Sequence, residues 1–333
     1  MEIKHVSMKD YSSLKIGGEG SVVLASNLVD IVNACMYARS HELVISVLGE
    51  GTNTYFSNDL SKYLFIKNEI KVISFEEKDD YVFLTASAGE KWDDIVAFSI
   101  NHSLWGIENL SFIPGTAGSA PIQNIGAYGV ELKDVLVSLS AYDTEMSQTV
   151  EINNEACAFG YRDSLFKQEK NRYVIISITL KLSKNPKPVL TYKPLDTLLQ
   201  KENLSVEDVR TLVIETRKAK LPDYKEYPNT GSFFKNPVVT GAQSEALRAK
   251  YPDIPLIPHN GNFKIPAAWL IEHIAQMKGV RMGNVGTWPV QPLVIVNYAD
   301  ATYEELETFV KVIIDKVFEA TGVTLEKEVN FIR

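Results

Sequence analysis

A chain of 333 residues, 45% hydrophobic and 23% charged, has the composition of a soluble globular protein and the length for two or three domains with real cores. Its net charge of −8 argues against nucleic acid as a partner but leaves room for a small anionic substrate met by a local basic cluster. No apolar run approaches the ~18 residues of a membrane span, and the polar start MEIKHVSMKDYSSLK lacks the apolar core of a signal peptide. Cys35, Cys157 and the five histidines fall in no metal-ligand spacing, so the expectation is a cytoplasmic protein with reduced thiols, no metal and no membrane.

In chain order, residues 28–40 have helical spacing (Ile31, Val32, Cys35, Met36), with Asn27 as cap. VISV (44–47) is a buried strand that runs into LGEGTNTYF (48–56). There Gly49 and Gly51 bracket Glu50, and Thr52 and Asn53 supply short polar side chains. Strands at 63–66, 70–75 and 81–87 and a helix at 92–102 follow. The chain then enters a second glycine-rich stretch, IPGTAGSAPIQNIGAYGVE (113–131). It holds Gly115, Gly118, Gly126 and Gly129, the hydroxyls of Thr116 and Ser119, and the amides of Gln123 and Asn124. Glycines let main-chain N–H groups converge on a bulky anion, so this stretch suits a pyrophosphate; an ordinary loop pair is the alternative. A loop of about twenty residues with little secondary structure is usually functional. The pattern is not G-x-G-x-x-G after a strand, which argues against a Rossmann site.

Strands are predicted at 135–142, 148–152 and 173–182, with a helical turn at 153–157. The strand at 173–182 sets Val174, Ile176, Ile178, Leu180 and Leu182 on one face. Tyr161 and Arg162 lie in AFGYRDSLFKQE (158–169); read alone, that arginine is a surface or ion-pair residue. A Pro- and Lys-rich excursion (183–204) carries Tyr192 at its middle and has the look of an ordered surface loop or lid. A helix at 205–219, capped by Ser205 and Asp208, ends in basic residues, with Arg217 and Lys220 on one face. GSFFKNP (231–237) offers one hydroxyl, Ser232, outside any G-x-S-x-G elbow. Helices at 241–250, 265–277 and 303–319 and a strand at 293–297 precede a terminal strand, LEKEVNFI (325–332). In it Glu328 is either solvated or aimed into a site.

These segments, in this order, resemble the UDP-N-acetylenolpyruvoylglucosamine reductase family. The resemblance is carried by LGEGTN (48–53), ENLSFIPGTAGSAPIQNIGAYGVEL (108–132), FGYRDSLFK (159–167), LTYKPL (190–195), KLPD (220–223), GSFFKNP (231–237), AAWLIE (267–272) and LEKEVNFI (325–332). It spans essentially the whole chain, and the Tyr192 excursion is similar to that of the type I branch, in which a tyrosine loop closes over the substrate.

The resemblance implies an α+β protein: a two-lobed FAD-binding fold of the vanillyl-alcohol-oxidase type plus a smaller α+β substrate-binding domain. The lobes would be 1–70 (with the C-terminal strand in 320–333) and 71–225, and the substrate domain 226–319. It also implies FAD and NADPH as cofactors, a UDP-sugar substrate and a monomer. Arg162 matches the residue that stabilises an enolate, Ser232 a proton donor and Glu328 its partner acid. Gly49, Glu50, Gly51, Thr52, Asn53, Pro114, Gly115, Thr116, Gly118, Ser119, Gln123, Asn124, Gly126, Ala127, Tyr128 and Gly129 match cofactor-binding positions. Tyr161, Tyr192, Arg217, Lys220, Asn236 and Gln291 match substrate-binding positions. Ser12-Ser13 stand where the family commonly has Asn-Thr. Two rival readings are a sugar or lactone oxidase on the same fold, whose covalent-flavin histidine motif is missing here, and a non-catalytic nucleotide-sugar binder.

Overall fold

The computed structural model describes all residues, Met1–Arg333, and groups them into two compact units. The first comprises Met1–Val6, Gly20–Glu50 and Ser61–Ala219. It contains two sheets, each with its own hydrophobic cluster. In the four-stranded sheet, Val44–Leu48 runs parallel to Asp59–Asn68, pairing Val44 with Tyr63 and Leu48 with Lys67. Helix Leu28–Ser40 covers it, burying Ile31, Ala34, Cys35 and Ala38 on Val23, Ala25, Ile45, Leu64 and Ile66. As predicted, Asn27 caps this helix, accepting the Asp30 amide at 3.0 Å. Of the other two expected there, Val32 is partly buried and packs against the same cluster, whereas Met36 is exposed.

The second sheet of this unit is five-stranded and antiparallel, in the order Gln148–Asn153, Leu136–Asp143, Tyr173–Ser183, Tyr81–Ser87, Ile73–Lys78. Helices Trp92–Asn101 and Val206–Lys220 pack their Trp92, Ile95, Val96, Val209 and Val213 into its core. The predicted alternation in 173–182 holds from Ile178 to Leu182 and fails at Ile176, which is only partly buried while Ile175 is buried. A bulge is the cause: Ser140 pairs with Ser177 but Ala141 with Ile175, so Ile176 drops out of register.

The second unit comprises Ser7–Glu19, Gly51–Leu60 and Lys220–Arg333. It holds a four-stranded sheet (Asn229–Ser232, Val294–Asn297, Val285–Thr287, Arg281–Met282) and a three-stranded one (Val238–Val239, Asn262–Lys264, Ile257–His259). It also holds the parallel pair Asn330–Ile332 with Thr54–Phe56. The terminal segment, expected with residues 1–70, is thus paired with 54–56, and both lie in this second unit. Helix Tyr303–Thr321 buries Leu306, Phe309, Val310, Ile313 and Val317, the stripe its spacing predicts. A Thr302/Glu305 capping box starts it and Gly322 at φ +70° ends it. The helix predicted over 265–277 is different: Ala267–Trp269 is α-helical and Leu270–Ile274 a π-turn, closed by the Ala275 amide on the Leu270 carbonyl at 2.9 Å.

Both cysteines are buried, and burial pushes each thiol up to about 12. No helix is long and apolar enough to cross a membrane.

Candidate functional site

In the first unit the two glycine-rich turns, weak signals apart, meet. A Cβ on Gly49 would lie 3.0 Å from the Ser119 Cβ and 3.2 Å from the Thr116 Oγ1, so the turn leaving Val44–Leu48 lies directly on the second loop. Glu50 locks the contact, its Oε2 accepting the Gly115 amide at 2.8 Å. From the neighbouring strand Lys67 donates its ammonium to the Gly49 carbonyl; burial holds that ammonium below its ordinary value, with Glu50 partly offsetting.

The amides of 115–120 do not form the open nest that glycine content suggests. Gly115 donates to Glu50, Thr116 to the Ser119 hydroxyl at 2.9 Å, and Ala117 to the Glu90 carbonyl at 2.8 Å. Gly118 donates to the Ala88 carbonyl at 3.0 Å, and Ser119 and Ala120 to the Thr116 carbonyl. This loop is a wall. The acceptorless donors are the consecutive amides of Glu50, Gly51 and Thr52, which make no hydrogen bond within the chain. Three successive backbone N–H groups after a strand suit phosphate oxygens, so the residues present fit the pyrophosphate of a dinucleotide such as FAD.

The loop continues into a tight hairpin. Gly126–Ala127 pairs with Val130–Glu131 across Tyr128 (φ +49°) and Gly129 (φ +86°), two positive-φ residues of the kind a two-residue hairpin turn requires. Asn124, fully buried at φ +46°, is a clasp: its amide nitrogen donates to Glu131 (2.9 Å) and the Gly160 carbonyl (3.2 Å), and its oxygen accepts the Lys133 amide (3.0 Å). Holding Gly160 brings the FGYRD segment to the hairpin. There Arg162 sits in the left-handed region at φ +54°, and its Nη2 donates to the Gly126 carbonyl at 3.1 Å. That conformation costs about 1–3 kcal/mol for a non-glycine residue and marks sites where placement matters more than stability. Its guanidinium lies 5.9 Å from the Tyr161 ring centroid, and Lys167 braces its carbonyl at 3.1 Å.

Two further predicted residues join this cluster. The Tyr192 ring lies against Gly129, where an added Cβ would meet its Cδ2 at 3.0 Å. Arg217 donates to the Phe112 carbonyl at 3.1 Å; burial lowers its guanidinium from the ordinary value, with Tyr128 and Asp93 opposing and the Arg162 charge adding to the effect. Burial raises the Tyr128 phenol, with Arg217 opposing. Sequence reasoning missed Asn109, which donates to the Tyr128 and Val189 carbonyls, and nothing in a lone buried asparagine could have signalled it.

In the second unit, Ser232 ends the strand Asn229–Ser232 just after Gly231 (φ +68°) and a bulge against Val294–Asn297. Immediately beyond it the Glu328 amide donates to the Phe233 carbonyl at 2.8 Å, and Phe234 bridges Lys327. The chain segments of Ser232 and Glu328 are therefore laid side by side. Glu328 is only 9% exposed, which removes the solvated alternative. Asn53 belongs to the same construction, its side chain donating to the Glu328 carbonyl at 3.4 Å and its carbonyl accepting the Asn330 amide at 2.9 Å. Ser13 anchors the turn from below, its hydroxyl reaching the Gly51 carbonyl at 3.3 Å and the Asn229 carbonyl at 2.5 Å. Gly51 must be glycine: φ is +69° and a Cβ would fall 1.9 Å from the Tyr11 carbonyl oxygen. Asn236 accepts the Ala267 amide at 2.9 Å, and Gln291 accepts the Leu293 amide at 3.3 Å. Lys220, last in its helix, is exposed.

A family model described as an FAD binding domain matches residues 20–153, and one described as the C-terminal domain of UDP-N-acetylenolpyruvoylglucosamine reductase matches 223–332. Relatives bearing that enzyme name include one from Flavobacterium johnsoniae, 38% identical over all of both chains, and one from Pseudomonas aeruginosa, 39% identical over 98% of each. Another, from Escherichia coli K12, is 37% identical over 98% of this chain and 95% of its own. The crystal structure of the enzyme of that name from Thermus caldophilus has the same fold, with a TM-score of 0.72 over the whole of both chains at 20% identity. The chain belongs to the UDP-N-acetylenolpyruvoylglucosamine reductase family.

Proposed function

We propose that this chain reduces the enolpyruvyl ether of UDP-N-acetylglucosamine to UDP-N-acetylmuramate for peptidoglycan precursor synthesis, with FAD and NADPH as cofactors. The observation that carries the reading is the full-length similarity to reductases of that name, which takes in every motif discussed above. A monomer working in the cytoplasm is part of the proposal. So is a division of labour in which 1–225, with the terminal strand, serves the flavin and 226–319 the UDP-sugar.

FAD, when bound, would supply the hydride chemistry that connects NADPH to the terminal methylene carbon of the enolpyruvyl group. In the proposed assignment the turns at 49–53 and 114–129 hold it. Hydride addition leaves negative charge on the carbon beside the carboxylate, spreading into the carboxylate oxygens. Arg162 is the residue to stabilise that charge as it grows, and its strained, braced backbone favours a fixed guanidinium. Ser232 would give its proton to the same carbon, completing net addition of one hydride and one proton across the double bond, with Glu328 as the partner acid. Tyr161, Tyr192, Arg217, Lys220, Asn236 and Gln291 would bind the nucleotide and diphosphate.

Ser232→Ala tests the assignment by separating the half-reactions. Stopped-flow absorbance should show the flavin reduced by NADPH at a near-normal rate, while reoxidation by the enolpyruvyl sugar falls by about 10²–10⁴, the usual worth of general acid help. Equal slowing of both, or of neither, would make Ser232 structural. Failure of the wild type to consume NADPH with the enolpyruvyl sugar would sink the whole reading.

A further inference from the structure

Asn109 lies in the short 3-10 turn Glu108–Leu110 and is fully buried. Its side-chain nitrogen donates to two carbonyls, each at 2.8 Å, that belong to different elements. One is Tyr128, in the two-residue turn of the hairpin. The other is Val189, three residues before Tyr192 in the excursion. Both hydrogens of one NH₂ group are thereby used to fix the separation of these two segments. They are also in direct contact beyond it, since a Cβ on Gly129 would lie 3.0–3.2 Å from two Tyr192 ring carbons and 3.3 Å from the Val189 Cγ1.

Leu190 and Leu195 already anchor the excursion in the hydrophobic core. Apolar burial has no direction, however, and does not set how the loop lies on the turn. A forked donor does. The Asn109 Oδ1 is buried without a hydrogen-bond partner. An apolar residue of similar size would avoid the cost of that unsatisfied oxygen but would take these donors from the Tyr128 and Val189 carbonyls, so what asparagine contributes here is the tie between the two segments.

We propose that Asn109 is a positioning residue that seats the Tyr192 loop on the Tyr128–Gly129 turn and so sets substrate affinity through Tyr192. The proposal rests on the reading of Tyr192 as a substrate-binding residue. Asn109→Ser in the FAD-loaded full chain should raise the KM for the enolpyruvyl sugar about tenfold, with kcat and flavin reduction by NADPH changed less than about twofold. In a Tyr192→Ala background the same substitution should add less than about twofold to KM, because the two residues act as one unit. Chymotryptic cleavage after Tyr192, followed by mass spectrometry, should quicken about tenfold in Asn109→Ser.

Full additivity of the two substitutions on KM, unchanged chymotryptic cleavage, or an equal loss in flavin reduction would each overturn the proposal. If Tyr192→Ala leaves KM untouched, it is the substrate role of Tyr192 that fails, and the cleavage rate alone decides whether Asn109 seats the loop. Should Asn109→Ser not fold, Asn109→Asp, of equal size but with its donors replaced by acceptors, is read by the same measurements and should release the loop at least as far.

Discussion

Arg162 shows most clearly what a single residue of this chain reveals and conceals. In sequence it is one arginine among many, and only the family resemblance singles it out. In the structure its positive φ, the carbonyl of Gly126 and the brace from Lys167 give it a fixed place. Asn124 and Tyr128 also sit at positive φ, which non-glycine residues seldom signal in advance. Loop 115–120 misleads in the opposite sense: its glycines serve close packing, while the acceptorless amides belong to Glu50, Gly51 and Thr52.

Glu108, beside Asn109, allows a residue-scale prediction with a definite sign. Its side chain is buried and accepts the Gly106 amide at 2.6 Å, and burial raises its carboxyl above the ordinary value despite that bond. A raised folded-state value means the fold favours the neutral acid. The stabilisation is therefore complete below the unfolded value and is lost as pH rises through the folded one. Glu108→Gln, always neutral, should melt above the wild type at pH 7–8, and the gap should close toward pH 4. A constant gap across that range would show that the carboxyl is not the cause.

Among the elements, those with strong periodicity and caps were legible almost to the residue. Helices Leu28–Ser40, Gly241–Lys250 and Tyr303–Thr321 and strand Gln148–Asn153 fall within two residues of expectation. The hairpin of 126–131 was not, because two-residue strands carry no periodic signal. Nor was the π-turn at 270–274, whose apolar stripe is the same as an α-helix would show. The wall loop gives an element-scale prediction. Gly118 donates to the Ala88 carbonyl, and a Cβ on it would fall 2.6 Å from the Ala88 Cβ, so the loop cannot lie on the end of Tyr81–Ser87 with any side chain there. Gly118→Ala should lift the loop, weaken FAD binding by at least about tenfold and lower the melting temperature, an overpacking cost of about 1–3 kcal/mol. Titration of apoprotein with FAD, followed by flavin fluorescence, measures the first effect; unchanged affinity would show that the loop does not shape the cofactor site.

At the scale of the whole molecule, sequence similarity and physical cohesion divide the chain differently. The family model of the C-terminal domain covers 223–332, which invites the idea of a separable domain. The compact unit, however, also takes in Ser7–Glu19 and Gly51–Leu60. From these segments Leu14, Ile16 and Tyr55, all at most 1% exposed, enter the same hydrophobic cluster as Phe233, Ile271 and Phe309. Thr54–Phe56 is the strand partner of Asn330–Ile332, Asn297 donates to the Leu14 carbonyl at 3.0 Å, and the Tyr55 hydroxyl donates to Glu307 at 2.6 Å. Emptying one buried Leu or Ile site costs about 2–5 kcal/mol, so losing three large side chains is on the order of the ~5–15 kcal/mol that holds a domain folded. A fragment of residues 220–333 should therefore keep helical far-UV signal from Tyr303–Thr321 but lack near-UV structure, bind a hydrophobic dye and melt without cooperativity. The full chain should show near-UV structure, exclude the dye and melt cooperatively. A sharp, cooperative melt of the isolated fragment would mean that its core closes without Leu14, Ile16 and Tyr55, and that the similarity boundary near 223 is a folding boundary after all.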